Sequence, residues 1–287
     1  MALAVPLLVM MPAGGPAVGE ALGAEPSCYG EPATITGTPH RDQVKGTDGA
    51  DVIVTGKGFD VVRGGGGADL ICTGRGGDDL YGGGGADRLN GGRDGKPPDA
   101  DSVTADTLVG GPGSDRLNGG AGLSPNRRGF DDRAVYSDSP SAVRLDLAAG
   151  VATTGRDTDR LVSIEDATGS PRADLLVGDR RQNDLAGQAG RDRLRGRDQF
   201  DRLSSGAGAD DAASGAAYNI VFGGRGDDTV RSGTGADEVY GGVGRDRLAG
   251  QSGNDRLYGE DGRDFADGGR DTRFDYCRAE VVVNCER

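Results

Sequence analysis

Aspartates return in this chain every nine residues, each followed two places later by a bulky aliphatic. From Gly64 to Asn90 the sequence reads GGGGADLIC, TGRGGDDLY and GGGGADRLN, three nonapeptides in one register. Small residues open each unit, an aspartate stands sixth (Asp69, Asp78, Asp87) and an aliphatic eighth (Ile71, Leu80, Leu89). Asp42, Asp51 and Asp60 precede these in phase, and Asp106 and Asp115 follow. After an interruption the register resumes at Asp174, Asp192, Asp201, Asp210, Asp228, Asp237, Asp246, Asp255 and Asp264, with Asn183 and Asn219 at two sixth positions. The chemistry on offer is that of short, hard carboxylates held close to their own backbone. Aspartate suits such turns, and it outnumbers glutamate 38 to 8.

Glycine at the first, second and fourth positions permits positive φ and close backbone approach, so turn carbonyls can face inward beside the carboxylate. Columns of such turns would present an all-oxygen surround. Calcium accepts 6–8 oxygens at about 2.3–2.6 Å in flexible geometry, whereas magnesium demands a tighter octahedron and retains water. The sixth-position aspartates are therefore candidate calcium ligands, with several ions expected. G-G-x-G-x-D-x-U-x is a calcium-binding parallel β-helix period.

These turns need strands to position them. A strand of about three residues, seventh to ninth, sends its eighth side chain to one face. If two nonapeptides make one turn of a coil, alternate units stack as parallel strands about 4.8 Å apart and the aliphatics of two sheets meet inside. That interior is one layer thick, worth roughly 1.5–3 kcal/mol per buried side chain. Chain entropy costs about 1–2 kcal/mol per residue, and more for glycine, so burial alone loses. Metal binding would supply the difference as folding free energy. With 55 glycines and 5% aromatics the chain would otherwise be read as disordered; the fixed phase of its aliphatics argues against that.

The fold expected is all-β: a parallel β-roll solenoid in two blocks, 25–122 and 169–267, joined by an irregular β insert at 123–168. In the insert RAVY (133–136), AVRLDL (142–147) and LVSI (161–164) read as a few short antiparallel strands serving as a connector. Residues 97–98, both proline, lie in a polar interruption of the first block. Residues 268–287 form a cysteine-bearing cap, as a solenoid needs at its open edge. Residues 1–24 carry an apolar run from Ala2 to Met11 and small residues ending at Gly23-Ala24, a signal-peptide pattern, although no Lys or Arg precedes the run. The run is too short to span a membrane. Secretion is the expected localisation, and four cysteines fit it. Cys277 and Cys285 are expected to close a small hairpin. Cys28 and Cys72 would stand on different edges of a strictly regular roll, so pairing them needs an irregular cap.

At this point the segments GGGGADLIC, GGPGSDRLN, GGRGDDTVR and GVGRDRLAG, with LVSIEDATGSPRADLLVGD between the arrays, resemble the RTX or haemolysin-type calcium-binding repeat proteins. The resemblance implies parallel β-rolls with calcium between successive turns, the sixth-position aspartate giving its side chain and turn carbonyls completing the shell. It also implies a secreted protein without chemistry of its own; the alternative is a calcium-dependent adhesion module, or an accessory module of a secreted hydrolase or toxin system. Asn183, Asn219 and Gln199 depart from the pattern.

Other classes find little support. A net charge of −13 disfavours nucleic acid, and the 30 arginines are scattered, many directly after an aspartate, where they would offset repulsion between carboxylates. His40, the sole histidine, takes a fourth position where glycine is usual, with no acid or nucleophile beside it in sequence. No GxSxG, HExxH, Walker or EF-hand pattern occurs. Outward strand positions read as mixed, with no aromatic stripe. An extracellular or cell-surface partner is left open, and no amphipathic or apolar segment suggests pore formation.

Overall fold

A computed structural model describes residues 25–93, 105–121, 132–269 and 275–285. The expected signal segment, Pro97 and Pro98, the start of the insert and part of the C-terminal cap lie outside the described residues. Among those described there is no helix, and hence none long and apolar enough to cross a membrane.

Strands form where the eighth-position aliphatics require them, but run further than three residues. Val52–Lys57, Leu70–Arg75 and Arg88–Arg93 each continue to the third position of the following repeat. The glycines after the aliphatic stay in the ladder, as Gly56 pairs with Gly74 and Gly74 with Gly92. Partners are eighteen residues apart, as in Ile53, Ile71 and Leu89, so two nonapeptides make one turn. The described strands form a twelve-stranded and a fifteen-stranded sheet, facing each other across the aliphatic layer. One column runs Val62, Leu80, Leu108, Ala134, Ala167, Leu185, Leu203, Val221, Val239 and Leu257, all essentially inaccessible. At the first positions held by Thr55, Thr73, Ser214 and Ser232 the hydroxyl donates to the carbonyl one turn on, as from Thr73 to Gly91 (2.9 Å) and Ser232 to Gly250 (3.0 Å).

The insert belongs to both sheets, so the two arrays share them. Val143–Asp146, Val151–Thr154 and Asp157–Val162 are antiparallel neighbours, as expected, within the fifteen-stranded sheet. The outer two of these are parallel to the repeats on either side, through Leu145 to Leu176 and Leu161 to Leu117. Arg133–Val135, expected to be antiparallel, is instead parallel to its neighbours and with Asp166–Thr168 continues the stack opposite.

Two disulfides fasten the ends. Cys277 joins Cys285, and Cys28 joins Cys72. The irregular cap this second pairing needs is a two-stranded hairpin, Ser27–Cys28 with Glu31–Pro32, laid against the outer face of the fifteen-stranded sheet.

One sequence reading is corrected. Phe222, Tyr240 and Tyr258, at ninth positions eighteen residues apart, stack along the outside of the twelve-stranded sheet with ring centroids 5.1 and 5.0 Å apart, and Tyr276 continues the row at 5.8 Å. An aromatic stripe is therefore present. Its signal was the period of eighteen, which a scan of single repeats does not reveal.

Candidate metal centre

Each sixth-position aspartate sits at the mouth of a strand, where its repeat leaves the turn. Its backbone N–H donates to a side-chain oxygen one coil turn further on, an aspartate Oδ1 except that Asp201 donates to Asn219 and Asp264 to Glu280. Along one edge this links Asp51 to Asp69 (2.8 Å), Asp69 to Asp87 (2.8 Å) and Asp87 to Asp115 (2.8 Å). Along the other it links Asp42 to Asp60 (2.9 Å), Asp60 to Asp78 (2.7 Å) and Asp78 to Asp106 (2.8 Å). In the second array Asp174, Asp192, Asp210, Asp228, Asp246 and Asp264 form one such column. The alternate column is Asn183, Asp201, Asn219, Asp237 and Asp255. All seventeen aspartates named from the sequence thus stand in two edge columns. All are buried except Asp42, which is half-buried near the N-terminal end.

Sequence reading missed several members. Asp132, Asp159 and Asp275 accept from Asp106, Asp115 and Asp255 in the same manner. Glu165 and Glu280 accept from Asp132 and Asp264 at column ends. Asp132-Arg133-Ala134-Val135 and Asp159-Arg160-Leu161-Val162 carry the second half of the nonapeptide without its glycines, which was the available signal.

The second carboxylate oxygen differs. Oδ2 of Asp60, Asp69, Asp78, Asp87, Asp115, Asp192, Asp201, Asp210, Asp228, Asp237, Asp246 and Asp264 is buried without a hydrogen-bond partner. A buried anionic oxygen left in that condition costs free energy of order several kcal/mol. Arginines pair with Asp146, Glu165, Asp166, Asp184, Asp198 and Asp211.

Burial drives the carboxyls toward the neutral form. Asp78, Asp115, Asp192 and Asp228 are pushed up to about 7 and Asp201 to about 8, in every case chiefly by desolvation and against hydrogen bonds that favour the charge. A cation at Oδ2 would reverse that preference.

Backbone oxygens share the place. A Cβ built on Gly241 would lie 2.6 Å from Asp246 Oδ2 and 2.7 Å from the Gly259 carbonyl oxygen. One on Gly223 would lie 2.7 Å from Asp228 Oδ2 and 2.5 Å from the Gly241 carbonyl oxygen. The first glycine thus clears a cradle in which a carboxylate and the next turn's carbonyl converge. At the fourth position Gly76 (φ +149°) faces the Gly58 carbonyl oxygen, which any side chain would strike. Among the described residues no three His, Cys, Asp or Glu side chains gather around a point. A hard cation here would therefore rely on carbonyls for most of its shell, which suits calcium rather than zinc.

Three kinds of turn avoid the deficit. At Asp42, Asp51 and Asp174 the backbone N–H of Thr38, Thr47 and Ser170 donates to Oδ2 (2.6, 2.7 and 2.6 Å). Asn219 turns its amide nitrogen on the Ala217 carbonyl (2.9 Å) and the Ala216 carbonyl (3.3 Å); Asn183 donates to the Glu165 carbonyl (2.8 Å). There a neutral donor meets oxygens that elsewhere face a carboxylate. At Asp159 the buried Tyr136 hydroxyl donates to Oδ2 (3.0 Å), which raises the tyrosine well above its ordinary value, through burial first and the carboxylate second.

Comparison with curated proteins finds no match. A family model described as the RTX calcium-binding nonapeptide repeat matches residues 45–80, 73–95, 103–122, 168–203, 186–221, 204–239, 214–248 and 240–274, together more than half of the chain. With its parallel coil, glycine-cleared turns and edge columns of aspartate, this chain belongs to the RTX calcium-binding repeat family.

Proposed function

We propose that this is a secreted protein whose roll folds on calcium, with the sixth-position aspartates as ligands and no chemistry of its own. The observation that carries the reading is the repeated carboxylate Oδ2, buried and without a hydrogen-bond partner, beside a carbonyl oxygen of the next turn. Residues 1–24 act as the secretion signal, and the cysteines, all paired among the described residues, suit an oxidising compartment. Extracellular calcium at millimolar level fills sites of about 10⁻⁴–10⁻³ M, while cytosolic calcium leaves them empty and the chain export-competent. Circular dichroism of the purified chain, titrated with calcium and reversed with chelator, tests this. The expected outcome is a calcium-dependent gain of β signal, and equal spectra with and without calcium would overturn it.

A further inference from the structure

The outer face of the fifteen-stranded sheet carries a row of like charges. Arg88, Arg116 and Arg160 are direct lateral partners on three adjacent parallel strands, Arg88–Arg93, Arg116–Ala121 and Asp157–Val162, and all three are exposed. Adjacent like charges destabilise a sheet, and none of the ion pairs among the described residues involves these three. The arrangement is therefore costly in isolation and calls for an external anion.

Other side chains flank the row. Two residues along, Asn90 and Asn118 run parallel to the arginines, the Asn118 amide donating to Asn90 Oδ1 at 3.0 Å. At the N-terminal end the disulfide-bolted hairpin raises Tyr29 beside the row, its ring 6.0 Å from the Arg88 guanidinium. Arg116 and Arg88 both act electrostatically on that phenol. The floor thus offers guanidinium forks at strand spacing, about 4.8 Å, beside an amide rung and an aromatic wall.

We propose that this face binds a linear acidic polysaccharide, one carboxylate per sugar ring, laid across the strands. Planar guanidinium forks match carboxylates bidentately, and a linear uronate chain offers one carboxylate on every ring. Amide side chains beside the row suit sugar hydroxyls. A nucleic acid strand fits less well, because base stacking needs free aromatic faces and among the described residues Tyr29 is the one ring set beside the row. The aromatic column on the opposite sheet is a poorer sugar platform, since its ring faces are occupied by one another.

The test uses the full calcium-loaded chain and a fluorescent linear hexauronate, read by anisotropy, with the carboxyl-reduced neutral hexamer and an oligophosphate of equal charge as comparisons. The uronate is expected to bind and to weaken with added salt. Arg116→Ala should weaken it by about three- to tenfold, and the triple Arg88→Ala, Arg116→Ala, Arg160→Ala variant should abolish it. Arg247→Ala and Arg256→Ala, exposed but away from the row, should bind as wild type. The calcium-induced dichroism of each variant is recorded separately, so a failure of folding is distinguished from a failure of recognition; Arg116→Glu provides a second, charge-reversing variant. Equal binding of the neutral hexamer, equal binding of the oligophosphate, absence of uronate binding by the folded chain, or wild-type affinity in the folded triple variant would each overturn the proposal.

Discussion

Asn219→Asp places a carboxylate at a sixth position that now holds an amide, and its effect should change sign with calcium. The Oδ1 acceptor for the Asp201 N–H (2.8 Å) is retained, but the amide hydrogen bonds to Ala217 and Ala216 are lost. At about 1 kcal/mol each, that removes roughly 2 kcal/mol. A new calcium site returns RT ln(1 + [Ca]/Kd), about 0.4 kcal/mol at a concentration equal to Kd and about 2.7 kcal/mol at a hundred times Kd. The variant should therefore be less stable than wild type at low calcium and more stable above roughly thirty times Kd, the two curves crossing there. Urea unfolding at a series of fixed calcium concentrations measures the crossing, and calorimetric titration should find one more ion bound. If the variant were weaker by the same amount at every calcium level, the amide would not be standing in for a cation.

Further expectations concern protons, staples and core. In calcium-free buffer, raised carboxyl pKa values mean stability that is complete below the unfolded value near 4 and lost as pH rises through about 6 to 8; acidification from pH 8 to 5 should then increase β dichroism without metal. With calcium present the protons compete, so the calcium midpoint should rise as pH falls, and a midpoint independent of pH would contradict this. Cys28 and Cys72 are 44 apart and Cys277 and Cys285 8 apart, so replacing the first pair by alanine should cost about 4 kcal/mol and the second about 2.5 kcal/mol, by urea unfolding in calcium. Leu89→Ala, in a column between Ile71 and Leu117, should cost about 2–5 kcal/mol in the same assay, and a loss under 1 kcal/mol would indicate that the layer collapses around the gap.

The coil and its two edges could be read from sequence because one residue type sits at each phase for a single physical reason: aspartate to serve the turn, glycine to clear it, an aliphatic to fill the layer. Where those reasons separate, reading failed. Asp132 and Asp159 lack glycine at the first and fourth positions before them, so they fall outside the nonapeptide frame. Glu165 and Glu280 reach the column from different backbone positions, with a longer side chain. The Phe222, Tyr240, Tyr258 stripe follows the coil's period of eighteen, not the repeat's nine. The Cys28–Cys72 bond required knowing that the hairpin folds over a sheet face, a tertiary fact with no local signature.

The aspartate columns also have a direction. Each of the seventeen aspartates named from the sequence hands its N–H onward to a side-chain oxygen that follows, so a last rung has a donor and needs a successor, and Glu280 meets that need for Asp264 at 2.7 Å. Trimming the molecule from its front exposes an oxygen, which water readily satisfies. Trimming it from behind uncovers an amide at the very place where the oxygens are meant to close. The two ends are therefore unequal, and fraying should begin at the rear wherever the closing glutamate is removed.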